Sequence, residues 1–307
     1  MNPIEVTSVS KTFTRKLTQK VRALNNVSFT AAEGEVLGFI GPNGAGKSTT
    51  IKIIMGLLRP DAGETLLFNK PSGNPSARLR VGYLAENPAY YDYLTPRELL
   101  KFVGRNFAIG ESLLSDNVRQ VLKLIELEHA ADRPIRSLSK GMVQRIGIGQ
   151  ALVHDPDLYI LDEPMSGLDP LGRSLVSDII LNLKQKGKTV FFSTHIIHDV
   201  ERICDKSVIL MEGEVRFEGT IGSVVKESFS RYEVILSGPL SPHAELMAMD
   251  VKLSQESDHS RLSIPKQSLN DTLRLLSGGR AEILSVEPER ISLEQIFLEM
   301  ARKGQKG

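Results

Sequence analysis

Nine consecutive residues, Gly41-Pro42-Asn43-Gly44-Ala45-Gly46-Lys47-Ser48-Thr49, fit the pattern of a phosphate-binding loop. Glycines at 41, 44 and 46 let the backbone curl with its N–H groups inward, and a helix predicted from Lys47 adds its positive end. Lys47 can reach the β- and γ-phosphates of a nucleoside triphosphate, and the Ser48 hydroxyl suits a magnesium ligand. A second group closes the apolar run Leu158-Tyr159-Ile160-Leu161: Asp162, placed to hold Mg²⁺ through water, and Glu163, placed to deprotonate an attacking water. Between the two groups, Leu138-Ser139-Lys140-Gly141-Met142 offers another anion site. Ser139 is a good helix N-cap, and Gly141 leaves the backbone bare enough to approach a phosphate.

These residues need a scaffold that delivers them to one edge. Glu35 to Gly41 reads as a short strand entering the loop, with a helix from Lys47 to about Leu58. Strand-like runs at 81–85, 158–162, 189–194 and 208–211 are interleaved with helical patterns at about 97–107, 112–127, 139–153, 170–186 and 196–203. That alternation predicts an α/β fold with parallel strands and crossover helices, whose ligands bind at strand ends. At the N-terminus, Ile4 to Ser10 and Ala23 to Ala31 read as strands. The basic stretch between them (Lys11, Arg15, Lys16, Lys20, Arg22) reads as a solvated hairpin tip. Near residue 226 the character changes. Short strands at 232–236, 251–253, 261–264 and 281–286, with helices near 242–248, 267–277 and 291–302, suggest a small α+β domain of the split βαβ kind.

Composition narrows the class. The chain has 307 residues, 41% hydrophobic and 24% charged, an ordinary balance for a globular protein with a packed core. A net charge of +1 gives no bulk reason to expect nucleic acid. A single cysteine, Cys204, permits no internal disulfide and fits a reducing compartment. No apolar run approaches the roughly 20 residues of a membrane-spanning helix, and the N-terminus lacks the features of a signal peptide.

Across residues 1–225 the motifs and their order resemble the nucleotide-binding ATPase of ATP-binding cassette (ABC) transporters. Leu138-Ser139-Lys140-Gly141-Met142 is similar to the family's signature, usually Leu-Ser-Gly-Gly-Gln, and is followed by Gln144 and Arg145 as in the family. Ser166-Gly167-Leu168-Asp169 resembles the loop through which two such ATPases touch, with Asp169 as its acid. Ser193-Thr194-His195 ends where the family has a switch histidine that contacts the γ-phosphate and the base. Phe13 stands where an aromatic side chain stacks on adenine. The resemblance implies a mixed sheet with a helical subdomain at about 90–153, ATP and Mg²⁺ as ligands, and a head-to-tail pair of ATPase chains. Each ATP then lies between one chain's phosphate loop and the other's signature. It also implies a separate integral membrane permease, which would hold this subunit at the cytoplasmic face of the membrane.

The sequence departs from the family in three places. Glu86 replaces the usual glutamine at a metal-facing position, and Lys140 and Met142 replace a glycine and a glutamine. The aromatic loop Tyr90-Tyr91-Asp92-Tyr93 follows Glu86, where the family contacts its membrane subunit. Residues 226–307 resemble the appendix of some exporter ATPases, and apolar positions 293, 296, 297 and 300 share one face of the last predicted helix. His195 and His198 have the spacing of one helix face, but a zinc site would need more ligands. The rival readings are a soluble ABC ATPase of repair or translation and a nucleotide-binding module without turnover. The first is disfavoured because the chain has one cassette and no heptad run between Thr50 and Leu138; the second, because Lys47, Asp162, Glu163 and His195 are all present.

Overall fold

The computed structural model describes residues 2–15, 19–220, 231–238, 240, 246, 249–255, 258–277 and 282–288. The chain divides into two compact units, Met1–Ile221 and Gly222–Gly307.

In the first unit, β1 (Ile4–Arg15) and β2 (Gln19–Ala31) form a long antiparallel hairpin. Most of the basic stretch is therefore strand: Lys11 pairs with Leu24 and Thr12 with Arg22, and only residues 16–18 separate the two strands. The alternation extends because Phe13 and Val21 lie opposite each other and support the pairing beyond the basic residues. Strand β3 (Val36–Ile40) is buried at every position and leads into the phosphate loop. Helix α1 (Lys47–Ile54) follows, four residues shorter than its pattern predicts. Gly56, at φ +64°, takes the left-handed turn that stops it.

Next come β4 (Ala62–Leu67), β5 (Lys70–Pro71), α2 (Pro75–Arg78) and β6 (Val81–Leu84). The helices α3 (Pro96–Asn106) and α4 (Glu111–Leu124) and the signature helix α5 (Lys140–Leu152) are succeeded by β7 (Leu158–Leu161). Helix α3 starts with a full capping box, Thr95 with Glu98, and Pro96 in its first turn. Then α6 (Pro170–Gln185), β8 (Thr189–Thr194), α7 (Ile197–Ile203), β9 (Lys206–Met211) and β10 (Glu214–Thr220) complete the unit.

Two sheets result. The larger has the order β10-β9-β3-β8-β7-β6, with β10 antiparallel to β9 and the other neighbours parallel. The smaller, β2-β1-β4-β5, is antiparallel. They share a core in which Phe29 of β2, Phe39 of β3 and Phe191 of β8 lie 5.2, 5.7 and 5.4 Å apart, with Ile51, Ile53 and Ile54 of α1 in the same cluster. Burial of this apolar set fixes α1, and hence the phosphate loop, against both sheets. The parallel strands β3, β7 and β8 all end at the same edge, so Gly41, Asp162 and His195 emerge as neighbours. Among the described residues no helix is long and apolar enough to cross a membrane.

The second unit contains β11 (Arg231–Ser237), β12 (Lys252–Gln255), β13 (His259–Pro265), α8 (Leu269–Ser277) and β14 (Ile283–Pro288). Its sheet order is β12-β13-β11-β14 with antiparallel neighbours throughout. Strands β11 and β12 therefore run parallel with β13 between them, the strand placement a split βαβ unit requires. Val234, Leu236, Leu262, Ile264 and Leu276 form its core. Of the helix expected near 242–248 only Leu246 is described, and the helix expected at 291–302 lies outside the described residues.

Candidate functional site

The phosphate loop spans the end of β3 and the start of α1. Gly46, at φ +109°, is the residue before the helix, and a Cβ there would lie 2.7 Å from both the Ala23 carbonyl and Leu24 Cδ2. Only glycine satisfies both the backbone and the space. Lys47 is buried. Its Nζ donates to the carbonyls of Gly41 at 2.7 Å and Pro42 at 3.2 Å, and its remaining side faces Glu163 Oε1 at 3.3 Å. An open cavity here is lined by Asn43, Gly44, Gly46, Lys47, Ser48 and Thr49, with Ala23, Glu86 and Glu163 at its margins.

Glu163 sits at the centre of a closed network. Its backbone is left-handed, φ +51°, an uncommon state for a side chain of this size. Its N–H donates to Ser193 Oγ at 2.9 Å, and Ser193 Oγ donates to Asp162 Oδ1 at 2.6 Å. His195 Nδ1 lies 2.9 Å from Glu163 Oε2, at a ring nearly half exposed. One carboxylate thus faces an ammonium with one oxygen and an imidazole with the other.

Beside it, Ser48 Oγ donates to Glu86 Oε2 at 3.1 Å. Burial pushes the Asp162 carboxyl above the usual carboxylate range; hydrogen bonds from Ser193 and Ser48 oppose the shift, and the neighbouring Glu86 and Glu163 charges add to it. A hydroxyl between two carboxylates is an all-oxygen donor set, which fits a hard divalent cation when phosphate oxygens complete the shell. Among the described residues no group of three His, Cys, Asp or Glu side chains could hold a metal ion. The zinc reading finds no support: His195 precedes α7 rather than sharing a helix face with His198, and the side chain of His198 lies outside the described residues.

The signature residues lie on a different surface. Ser139 caps α5, accepting from the Met142 N–H at 3.2 Å. Both Ser139 and Lys140 are exposed, and Gly141 and Met142 are half-buried. The Lys140 stem lies against Gly167, where an added Cβ would sit 3.1 Å from its Cε, and Leu168 lies beneath Gly141. Asp169 caps α6, accepting from the Gly172 N–H at 2.8 Å, in the loop 166–169, where Ser166, Gly167 and Asp169 are exposed and Leu168 is buried. Sequence reasoning missed the connection between this surface and the acidic strand. Gln144 Nε2 donates to the carbonyls of Glu163 at 3.2 Å and Pro164 at 3.1 Å. Its position one turn beyond Ser139 is visible in the sequence, but its partners are not.

Two expectations divide on inspection. Tyr91 and Tyr93 are exposed and pack on each other with ring centroids 5.9 Å apart. Tyr90 instead turns inward: its hydroxyl is buried against the backbone of Gly147, and burial raises its ionisation far above the usual phenol range. Helix α5 meets this loop and β6 through bare backbone, since a Cβ on Gly147 would lie 2.5 Å from the Tyr90 hydroxyl and 2.6 Å from Leu84 Cδ1. Gly149 makes the same close approach to Ile125 and Val121 on the helical side. Phe13 is 40% exposed, opposite Val21 on the hairpin whose Ala23 reaches the cavity. Lys11 Nζ stands 5.8 Å from its ring centroid.

A phosphate loop and an acidic strand end on such a sheet, with a separate N-capped helix, define an ATPase cassette of the phosphate-loop class. The ABC transporter family model matches residues 24–166. An uncharacterized ABC transporter ATP-binding protein of Synechocystis is 40% identical over 311 residues, covering 98% of this chain and 85% of that protein. The Nod factor export ATP-binding protein I of Burkholderia lata is 34% identical, covering 97% of this chain and 96% of that protein. A solved dimeric ATP-binding cassette in a post-hydrolysis state with ADP and Pi superposes with a TM-score of 0.66 at 26% identity, covering 71% of this chain and 98% of that one. The chain belongs to the ATP-binding proteins of ABC transporters; it is an ATP-binding and ATP-hydrolysing transporter subunit.

Proposed function

We propose that this subunit powers export, pairing head to tail with a second ATPase chain so that each ATP is held by one chain's residues 41–49 and the other's residues 139–142. The observation that carries the reading is the Glu163 carboxylate, held between Lys47 and His195 at the margin of the phosphate cavity. Lys47 has two of its donors on loop carbonyls, so an arriving γ-phosphate competes with Glu163 for its open side. Displacement frees Glu163 Oε1 to accept a proton from water as the water oxygen attacks γ-phosphorus and the bond to ADP breaks. His195 Nδ1 steadies the other oxygen of Glu163, and its exposed ring can meet the γ-phosphate. Ser48, Glu86 and Asp162 would hold Mg²⁺, which when bound neutralises charge on the β- and γ-phosphates. Phe13 offers its exposed face to adenine.

Asp169 and its loop form the contact between the paired chains, beside the helix start that Lys140 and Leu168 link to it. The load is a separate integral membrane permease, engaged through the exposed pair Tyr91 and Tyr93. This subunit then sits peripherally at the cytoplasmic face of the membrane. Export is supported by the relatives named for Nod factor export, matched over 96% and 87% of their length. Residues 1–225 act as the ATPase domain, and 226–307 serve as an accessory domain for pairing or regulation.

Complementation tests the shared site. A Lys47→Ala chain keeps its helix start, and a Ser139→Arg chain keeps its cradle. Each alone is inactive in a Mg²⁺-ATP phosphate-release assay, and mixing them restores turnover, because one intact composite site then forms. Continued inactivity on mixing, with both chains folded and paired, rules out sites shared between chains.

A further inference from the structure

We propose that Gln144 is a positioning residue for Glu163. The inference rests on the reading of Glu163 as the base. Glu163 keeps a left-handed backbone, φ +51°, which needs support from its surroundings. Three groups supply it: the Ser193 hydroxyl accepts from its N–H at 2.9 Å, the Ser166 N–H donates to its carbonyl at 3.1 Å, and Gln144 Nε2 donates to the same carbonyl at 3.2 Å. Gln144 alone of the three also holds the next peptide, through the Pro164 carbonyl at 3.1 Å. A primary amide nitrogen has two N–H bonds, one for each of the two carbonyl oxygens that converge on it. A glutamate at 144 would bring only acceptors to two acceptors, and a leucine would leave both carbonyls without that donor.

Gln144 lies on α5, five residues beyond the Ser139 cap, half-buried against the Glu163 and Pro164 carbonyls. It is therefore the direct bond between the helix presented to the other chain and the backbone that aims this chain's own carboxylate. No part of Gln144 reaches the phosphate cavity, so its influence passes through Glu163.

The test uses the full chain with Gln144→Leu, Gln144→Glu and Gln144→Lys beside Glu163→Gln. Steady-state phosphate release gives kcat and KM, and a fluorescent ATP analogue gives nucleotide affinity. Displacement of a reacting group by about an ångström costs on the order of 100-fold, so the Leu and Glu variants should lose about 10- to 100-fold in kcat. Their KM and nucleotide affinity should stay within about threefold of wild type, the pattern of an interaction needed only for the chemical step. Gln144→Lys, whose ammonium presents several N–H donors, should recover most of the rate. If Gln144→Leu does not fold, the Glu and Lys variants carry the comparison, being long polar side chains that differ in donating.

The inference is overturned if kcat is unchanged in Gln144→Glu. It is also overturned if kcat, affinity and thermal stability fall together with no recovery in Gln144→Lys, the signature of a structural bond only. Glu163→Gln separates the two levels. Wild-type turnover there removes the base assignment itself, whereas an inactive Glu163→Gln beside a fully active Gln144→Glu removes only the positioning role.

Discussion

The phosphate cradle and the capped helix start both present N–H groups and positive charge, but their surroundings are opposite. Around Lys47 and Glu163 the groups are buried and already engaged with one another: ammonium to loop carbonyls, carboxylate to ammonium and imidazole. Around Ser139 and Lys140 the chain is exposed, and their contacts among the described residues include the Lys140 stem against Gly167 and the cap itself. A buried site whose charges already face one another, with Glu163 Oε1 still lacking a hydrogen bond, is set to act on a ligand that enters between them. An exposed helix start carries a field that its own chain leaves unused. On the proposed head-to-tail pairing, this molecule contains two unlike fractions of a site, the second completed only against another chain's surface.

The largest effect expected is at the enclosed end. Glu163→Gln should lower turnover by about 100- to 10,000-fold while ATP binding persists. The variant should accumulate as a dimer in Mg²⁺-ATP, as seen by size-exclusion chromatography. Rapid turnover would break the comparison at its root. At the open end, Gly141→Asp places a carboxylate where the helix start should meet phosphate. Like charges across an interface cost several kcal/mol, so ATP-dependent dimerisation should weaken by tenfold or more. Nucleotide affinity of the single chain should hold steady, and a matching loss there would show that the helix start serves its own cradle.

A smaller effect concerns the metal-facing acid. Glu86→Gln removes one charge from the Ser48–Glu86–Asp162 set and should raise the Mg²⁺ concentration for half-maximal nucleotide binding by roughly tenfold. A Mg²⁺ titration with a fluorescent ATP analogue reads this directly. The smallest effect lies beyond the far end of α5. His154 stacks on Phe107 with centroids 3.6 Å apart and holds the Val81 carbonyl at 3.2 Å. Burial lowers its ionisation below the usual imidazole value, with the Val81 hydrogen bond opposing. The unfolded chain therefore binds the proton more readily, so stability is fully present above about pH 6.5 and declines as pH falls below it. His154→Gln should flatten the loss of melting temperature between neutral and mildly acidic pH, measured by scanning calorimetry.

Most of the enclosed end was legible because its residues are contiguous. Gly41 to Thr49 and Leu158 to Glu163 each carry their chemistry within one short run, and the strand-to-loop context follows from the apolar pattern. The Ser139 cap was equally local. What stayed hidden depends on contacts distant in sequence. The donation of Gln144 to Glu163 and Pro164 spans about twenty positions, and Ser193 reaches Asp162 from another strand. Tyr90 and Tyr93 look alike as letters, yet only Tyr90 has its hydroxyl buried against α5. The hairpin ran longer than its hydrophobic alternation because cross-strand pairing overrode the charge of Lys20 and Arg22. Short strands such as β5 and the four-residue helix α2 carry too few residues for any period to show.

The glycines of α5 have a mechanical meaning. At 147 and 149 the helix touches the loop after Glu86 and the helical layer without any side chain of its own between them. A side chain in such a place acts as a spring, because rotamers can absorb small displacements. Backbone laid directly on a tyrosine hydroxyl has little such compliance, and close-packed interiors transmit strain rather than dissipate it. A push on the exposed tyrosines beside Tyr90 should therefore reach the signature helix with little slack, and the same rigid rod bears the amide that grips the peptide of Glu163. In this molecule, stiffness is set by what α5 lacks.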